Sequence, residues 1–194
     1  MLNLVKDVFM WIILMLTIII MTIVVWPVFF LVNIKEIAKR ELMIILALIF
    51  LVIDQLSKFI VIKHLIKGNT IPILKNYFHI TYVQNTGAAF GLFQNKLFLF
   101  IGVAILSVFV IIYYSRYLAP GNKWVQVALA FLLSGALGNM IDRISYGYVI
   151  DFIDFRFWPV FNFADIVINI GVGMLLVEMF WETRTEDEEE MIIS

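Results

Sequence analysis

Five long apolar stretches follow one another along the chain, and most charged positions fall in the gaps between them. They run from Val8 to Val32, Leu42 to Ile62, Leu97 to Ser115, Trp124 to about Ile141, and Phe163 to Trp181. About 20 residues of helix cross a bilayer core, so each is a candidate span. The first carries no charge and contains Pro27, which predicts a kink. It is too long for a secretory h-region and no small-residue cleavage site follows it, so it reads as a retained helix. The segment from Lys63 to Lys96 breaks the pattern. Gly68-Asn69 and Pro72 are turn signals, and Tyr77 to Val83 is rich in aromatic and β-branched residues, which predicts a strand. Gly87 and Gly91 bracket Ala88, Ala89 and Phe90. A small sheet or cradle at the membrane surface is expected there. Asp142 to Asn162 reads as a second sizeable link on the same side. No internal repeat is visible.

Composition agrees with the pattern. Of 194 residues, 63% are hydrophobic, where a soluble domain of this size has about 45–50% apolar residues. This is an integral membrane protein. The net charge of −1 conceals an acidic end around Glu186, Asp187, Glu188, Glu189 and Glu190, expected to be a solvated, frayed tail. The absence of cysteine excludes a disulfide framework and a thiol nucleophile. His64 and His79 are too isolated to suggest a metal centre. The basic linker at Lys35, Lys39 and Arg40 argues for an external N-terminus and a cytoplasmic tail. Lys63, Lys67, Lys75, Lys96, Arg143 and Arg156 on the other side nearly balance it.

The candidate chemistry lies in polar residues set among apolar ones. Asp151 in GYVIDF and Asp165 in FNFAD are the most informative. An acid at membrane depth costs roughly 2.5–3.5 kcal/mol on insertion scales, and two near one site resist joint ionisation. Asn162, Asp165 and Asn169 fall at i, i+3 and i+7, a single polar stripe on an apolar helix. Asn139 and Arg143, with Asp142 beside them, form a second polar cluster. It follows Ser134, Gly135, Ala136 and Gly138, whose small side chains allow a neighbouring helix to approach. Two such clusters with Asp151 between them look like a site. Asp54 and Lys58, at i and i+4, read as a structural ion pair. Gly171 and Gly173 read as helix-packing positions. Three other readings remain at this point: a Ser134–Lys58 dyad, a proton relay through Asp151 and Asp165 in a carrier, and a non-catalytic scaffold.

The strings DQLSK (Asp54 to Lys58), QNTGAAFG (Gln84 to Gly91), GALGNMIDR (Gly135 to Arg143), YVIDF (Tyr148 to Phe152) and FNFAD (Phe161 to Asp165) resemble the lipoprotein signal peptidase family, also called signal peptidase II. The combination, in this order and spacing, is specific. The resemblance implies four transmembrane helices with an external β-cradle, here preceded by one extra N-terminal helix. It covers residues 42–182, leaving 1–41 as the added helix and linker and 183–194 as the acidic cytoplasmic tail. It implies an aspartyl endopeptidase of a bacterial cytoplasmic membrane, its site at the external face. The substrates implied are diacylglyceryl-modified prolipoproteins, cut just before the lipidated cysteine. The catalytic pair carries over to Asp151 and Asp165, and polar support to Asn85, Asn139, Arg143 and Asn162. Asp54, Lys58 and Asp142 match positions tied to structure or site shaping. Membrane lipid is an expected partner; nucleic acid, cofactor and metal are not. The link from Asp151 to Asp165 looks short for the family.

Overall fold

A computed structural model describes residues 41–87, 93–117 and 122–193 of the chain. The expected extra helix at Val8 to Val32, its basic linker and most of the Gly87–Gly91 turn lie outside those residues. In chain order the described elements are α1 (Glu41–His64), β1 (Thr70–Leu74), β2 (Phe78–Asn85), α2 (Leu97–Tyr117), α3 (Lys123–Tyr146), β3 (Val149–Asp154) and α4 (Phe163–Ile193). The helices α1, α2, α3 and the Phe163–Trp181 part of α4 are each long and apolar enough to cross a membrane. Their outward residues, among them Leu48, Val52, Phe98, Phe109 and Phe180, are exposed, as lipid-facing side chains are.

The helix α3 is the hub, packing against α1, α2 and α4. Its two ends are set by local chemistry. Asn122 caps the start, its side-chain oxygen accepting from Val125 N at 3.2 Å. Gly147 ends it in the left-handed region at φ 82°, its N–H donating to Arg143 O. The expected end near Ile141 is therefore five residues early. No residue from Asp142 to Tyr146 breaks a helix, and the first that does is Gly147. Asp142 and Arg143 thus stand on the last helical turns and not in a link.

Small residues set the spacing between α3 and α4, as expected. A Cβ on Gly135 would lie 2.5 Å from Ile168 Cγ1 and 2.6 Å from Ala164 O. One on Gly171 would lie 2.8 Å from Ala128 O, but one on Gly173 meets nothing within 4 Å, so Gly173 is no packing position. One apolar cluster joins α1, α2 and α3 through Met43, Ala47, Ile111, Val125, Leu129, Ala130 and Leu133. The backbone of α4 stays helical to Ile193, where a frayed end is expected. Glu, Met and Arg are good helix formers, and neither Gly nor Pro intervenes.

The cradle is a three-stranded antiparallel sheet in the order β1-β2-β3. The strand expected at Tyr77 to Val83 is β2. Pro72 fits in β1 because β1 is an edge strand. The strand β3 corrects the reading of Asp142 to Asn162 as a link. It is buried along almost its whole length, so it shows no alternation of polar and apolar residues. Val61, Leu65, Tyr82, Ile150 and Phe152 bury the end of α1 against the sheet, so the cradle shares a core with the bundle.

Candidate active site

The last helix begins with a reciprocal cap. Asn162 Oδ1 accepts from Asp165 N at 3.1 Å, and Asp165 Oδ2 accepts from Asn162 N at 3.2 Å. This is the capping-box geometry, with Asn and Asp in the two places. It fixes Asp165 in the first turn of α4, where the helix dipole favours negative charge. The Asn162 side chain has two amide hydrogens left. One goes to Asp151 Oδ1 at 2.7 Å and the other to Asn139 Oδ1 at 3.1 Å. Asn162 is fully buried, and every hydrogen of its side-chain amide is used.

Asp151 comes from β3, not from a loop. Its backbone pairs with Val83 of β2, after a register shift in the ladder. Asn85, at the end of β2, donates Nδ2 to Asp151 Oδ2 at 2.9 Å and accepts Gly87 N at 2.9 Å on its own oxygen. The Asp151 carboxyl is only 2% exposed. Burial, and next the charge of Asp165, push its pKa up to about 7, against the opposing pull of Asn85, Asn162 and Lys58. Asp165 accepts from Asn139 Nδ2 at 2.9 Å. The two acids therefore line one cleft, of about 1210 Å³, and are joined through Asn162 and Asn139.

Arg143 also lines the cleft. Its guanidinium donates to Asn139 O at 3.3 Å and to Gly87 O at 3.4 Å, and it lies 4.7 Å from the centre of the Phe100 ring. Asn169, the third member of the polar stripe, lines the cleft while its side chain donates to Asp165 O at 2.8 Å.

Behind the acids, Asp54 and Lys58 form more than the expected pair. Lys58 Nζ lies 2.9 Å from both Asp54 Oδ2 and Asp142 Oδ2, and donates to Asn139 Oδ1 at 3.1 Å. An ammonium has three hydrogens, and these partners take all three. Ser134, for its part, donates to Phe131 O at 3.0 Å. A Ser134–Lys58 dyad has no free lysine donor or lone pair to work with. The two carboxylates also hold backbone. Asp54 Oδ1 accepts Ala164 N at 3.0 Å, and Asp142 Oδ2 accepts Ile150 N at 3.1 Å. Each pinned amide belongs to the residue just before one of the two acids.

Sequence reasoning missed Gln55, whose amide reaches Asp54 Oδ2, Gly138 O and Asp142 Oδ1 at 3.1–3.2 Å. Its position within DQLSK, beside Asp54, is the signal that could have found it. The cluster of Tyr82, Gln84 and Tyr148, in which Gln84 donates to both hydroxyls, was also missed and has no comparable signal.

A family model described as signal peptidase (SPase) II matches residues 46–181. The lipoprotein signal peptidase of Moorella thermoacetica is 48% identical over 146 residues, covering 75% of this chain and 97% of that protein. That of Halothermothrix orenii is 42% identical over 144 residues, covering 74% and 98%. A solved bacterial membrane enzyme structure, 32% identical, superposes with a TM-score of 0.70 over 73% of this chain and 88% of its own.

Proposed function

The chain belongs to the signal peptidase II family, and from that premise we propose that it is an aspartic endopeptidase in which Asp151 and Asp165 activate water together. At the family level it is a membrane protease that removes signal peptides from prolipoproteins. The finer reading is that it cuts diacylglyceryl-modified precursors just before the lipidated cysteine. One observation carries the two-acid reading: Asn162 hydrogen-bonds both Asp151 and the start of the Asp165 turn, at the edge of a single cleft.

Two carboxyls so placed do not both ionise cheaply, so they hold one proton between them around neutral pH. The ionised member takes a proton from water as the oxygen attacks the scissile carbonyl. The protonated member donates to the carbonyl oxygen, giving a neutral gem-diol. Return of the protons expels the new amine and frees the carboxylic acid. The titration belongs to the pair, so neither residue is assigned a fixed role. Asn85, Asn139 and Asn162 hold the carboxylates in place, and Arg143 supplies positive charge at the cleft wall. Asp54, Lys58 and Asp142 shape the site from behind. The cleft lies at the cradle end of the helices, on this reading at the external face of a bacterial cytoplasmic membrane.

The test is cleavage by the purified protein. A diacylglyceryl-modified prolipoprotein is expected to be cut before its lipidated cysteine, and the unlipidated precursor to be cut poorly. Equal cleavage of both would remove the lipid from the substrate definition. No cleavage of either by folded protein would overturn the reading.

A further inference from the structure

The loop between β3 and α4, residues 155–160, is clamped at both ends. At its start, Asp154 is almost fully buried and accepts three hydrogen bonds: Thr81 Oγ1 at 2.7 Å, Arg156 N at 2.8 Å and Arg156 Nη1 at 3.1 Å. Thr81 in turn meets Thr70 Oγ1 at 3.1 Å, so the clamp reaches across all three strands. Arg156 sits at φ 68°, a left-handed conformation that a side chain with a Cβ disfavours. At its other end, Phe161 exchanges backbone hydrogen bonds with Ile153 at 2.7 and 3.1 Å. The Phe155 ring stacks between, 5.3 Å from Phe78 and 5.9 Å from Phe161.

This clamped loop faces the two acids' cleft. Trp158, Pro159, Val160 and Phe161 all line it, as do Ile166 and Ile170 of α4. Ile170 is also 46% exposed, so the cleft opens at the surface of the membrane-spanning part of α4. The wall made by 158–161 is apolar. The buried Asp154 carboxylate hydrogen-bonds Thr81 and Arg156, neither of which lines the cleft, and the proposed dyad chemistry makes no use of it.

We propose that Asp154 is a positioning residue for substrate: by holding Arg156 in its left-handed conformation, it stands Trp158 to Phe161 up as a wall that grips an apolar part of the substrate beside the scissile bond. The proposal rests on the protease reading above. It concerns binding, so it separates from the chemistry in a KM-against-kcat split.

The experiment uses the full chain and a lipidated precursor. Asp154→Ala is expected to raise KM about tenfold while kcat stays within about twofold. Trp158→Ala is expected to do the same, and the double variant to be little worse than either, because both remove one grip. Glycine adopts a positive φ without help. Asp154→Ala/Arg156→Gly is therefore expected to recover most of the lost KM, which a general loss of packing would not allow. Arg156→Val keeps the carboxylate but strains the turn, and is expected to raise KM as Asp154→Ala does; it serves if Asp154→Ala fails to fold. An unchanged KM in folded Asp154→Ala, or a raised KM that Arg156→Gly leaves uncorrected, overturns the proposal. A wild-type chain that does not cut the lipidated precursor defeats the protease reading instead.

Discussion

Lys58 Nζ and Asn139 Oδ1 stand 3.1 Å apart in the protein interior, and that contact decides which way the Asn139 amide faces. An ammonium only donates, so the amide oxygen must turn to it. The amide nitrogen is left for Asp165 Oδ1, 2.9 Å away. Asn162 presses the same choice by donating to the same oxygen. A lysine that touches neither acid thereby determines that one of them receives a hydrogen-bond donor.

Lys58→Met is expected to be strongly destabilising. It strands the Asp54 and Asp142 carboxylates, both almost fully buried, without a countercharge. Breaking a buried pair in this way costs about 3–5 kcal/mol. Lys58→Arg should rescue little, because a planar guanidinium does not fit between two carboxylates placed around a compact ammonium. Thermal unfolding in detergent measures both. A Lys58→Met chain that melts with the wild type would show that the three-way contact contributes nothing.

Asp151→Asn and Asp165→Asn are each expected to abolish cleavage while precursor binding persists. The amide keeps the volume and much of the hydrogen bonding but exchanges no proton. On the proposed mechanism the acids act as a unit, so the double variant should be little worse than either single one. Single-turnover assays with a lipidated precursor, paired with a binding measurement, test this. Near-normal turnover in either variant would remove that residue from the chemistry.

The pH dependence has a definite sign. The Asp151 carboxyl is raised to about 7 by burial and by Asp165, so on the proposed mechanism the pair keeps its shared proton below that pH and loses it above. kcat/KM should then fall roughly tenfold per unit on the alkaline side. The same shift affects stability. The folded chain binds this proton more tightly than the unfolded chain, so Asp151 costs stability progressively from the ordinary carboxylate range up to about pH 7 and no more beyond it. A kcat/KM profile still flat at about pH 9 would contradict the shared-proton state.

Gly135→Ala and Gly173→Ala should behave oppositely. The first pushes a methyl group into Ala164 O and Ile168, an overpacking that costs about 1–3 kcal/mol. The second meets nothing within 4 Å and gains up to about 1 kcal/mol of helix propensity. Their melting temperatures should move apart. Equal shifts would mean that the α3–α4 contact tolerates separation.

The sequence discloses the four described spans and the polar residues readily, because charge amid apolar stretches is a strong signal. Asp54, Lys58, Asn139, Asp142, Arg143, Asp151, Asn162 and Asp165 all stand out from their apolar surroundings. What the sequence hides is who meets whom. The Asp54–Lys58 spacing points to a pair within one turn, while the third partner, Asp142, comes from a helix more than eighty residues later. The strand β3 escapes notice because it is buried on both faces and so lacks alternation. The clamp at Asp154 escapes because a lone Thr81 and a left-handed Arg156 leave no pattern in composition.

The amides pinned by Asp54 and Asp142 bear on biogenesis. Ala164 and Ile150 are held by side chains from the first and third described helices, and they immediately precede Asp165 and Asp151. Of the described helices, α1 leaves the ribosome first and α4 last. Until α4 docks, Asp151 and Asp165 stand on separate segments and do not line a common cleft. On the proposed two-acid mechanism, docking of α4 against α1 and α3 is then the step that assembles the active site, and a copy in which α4 has not docked would be inactive.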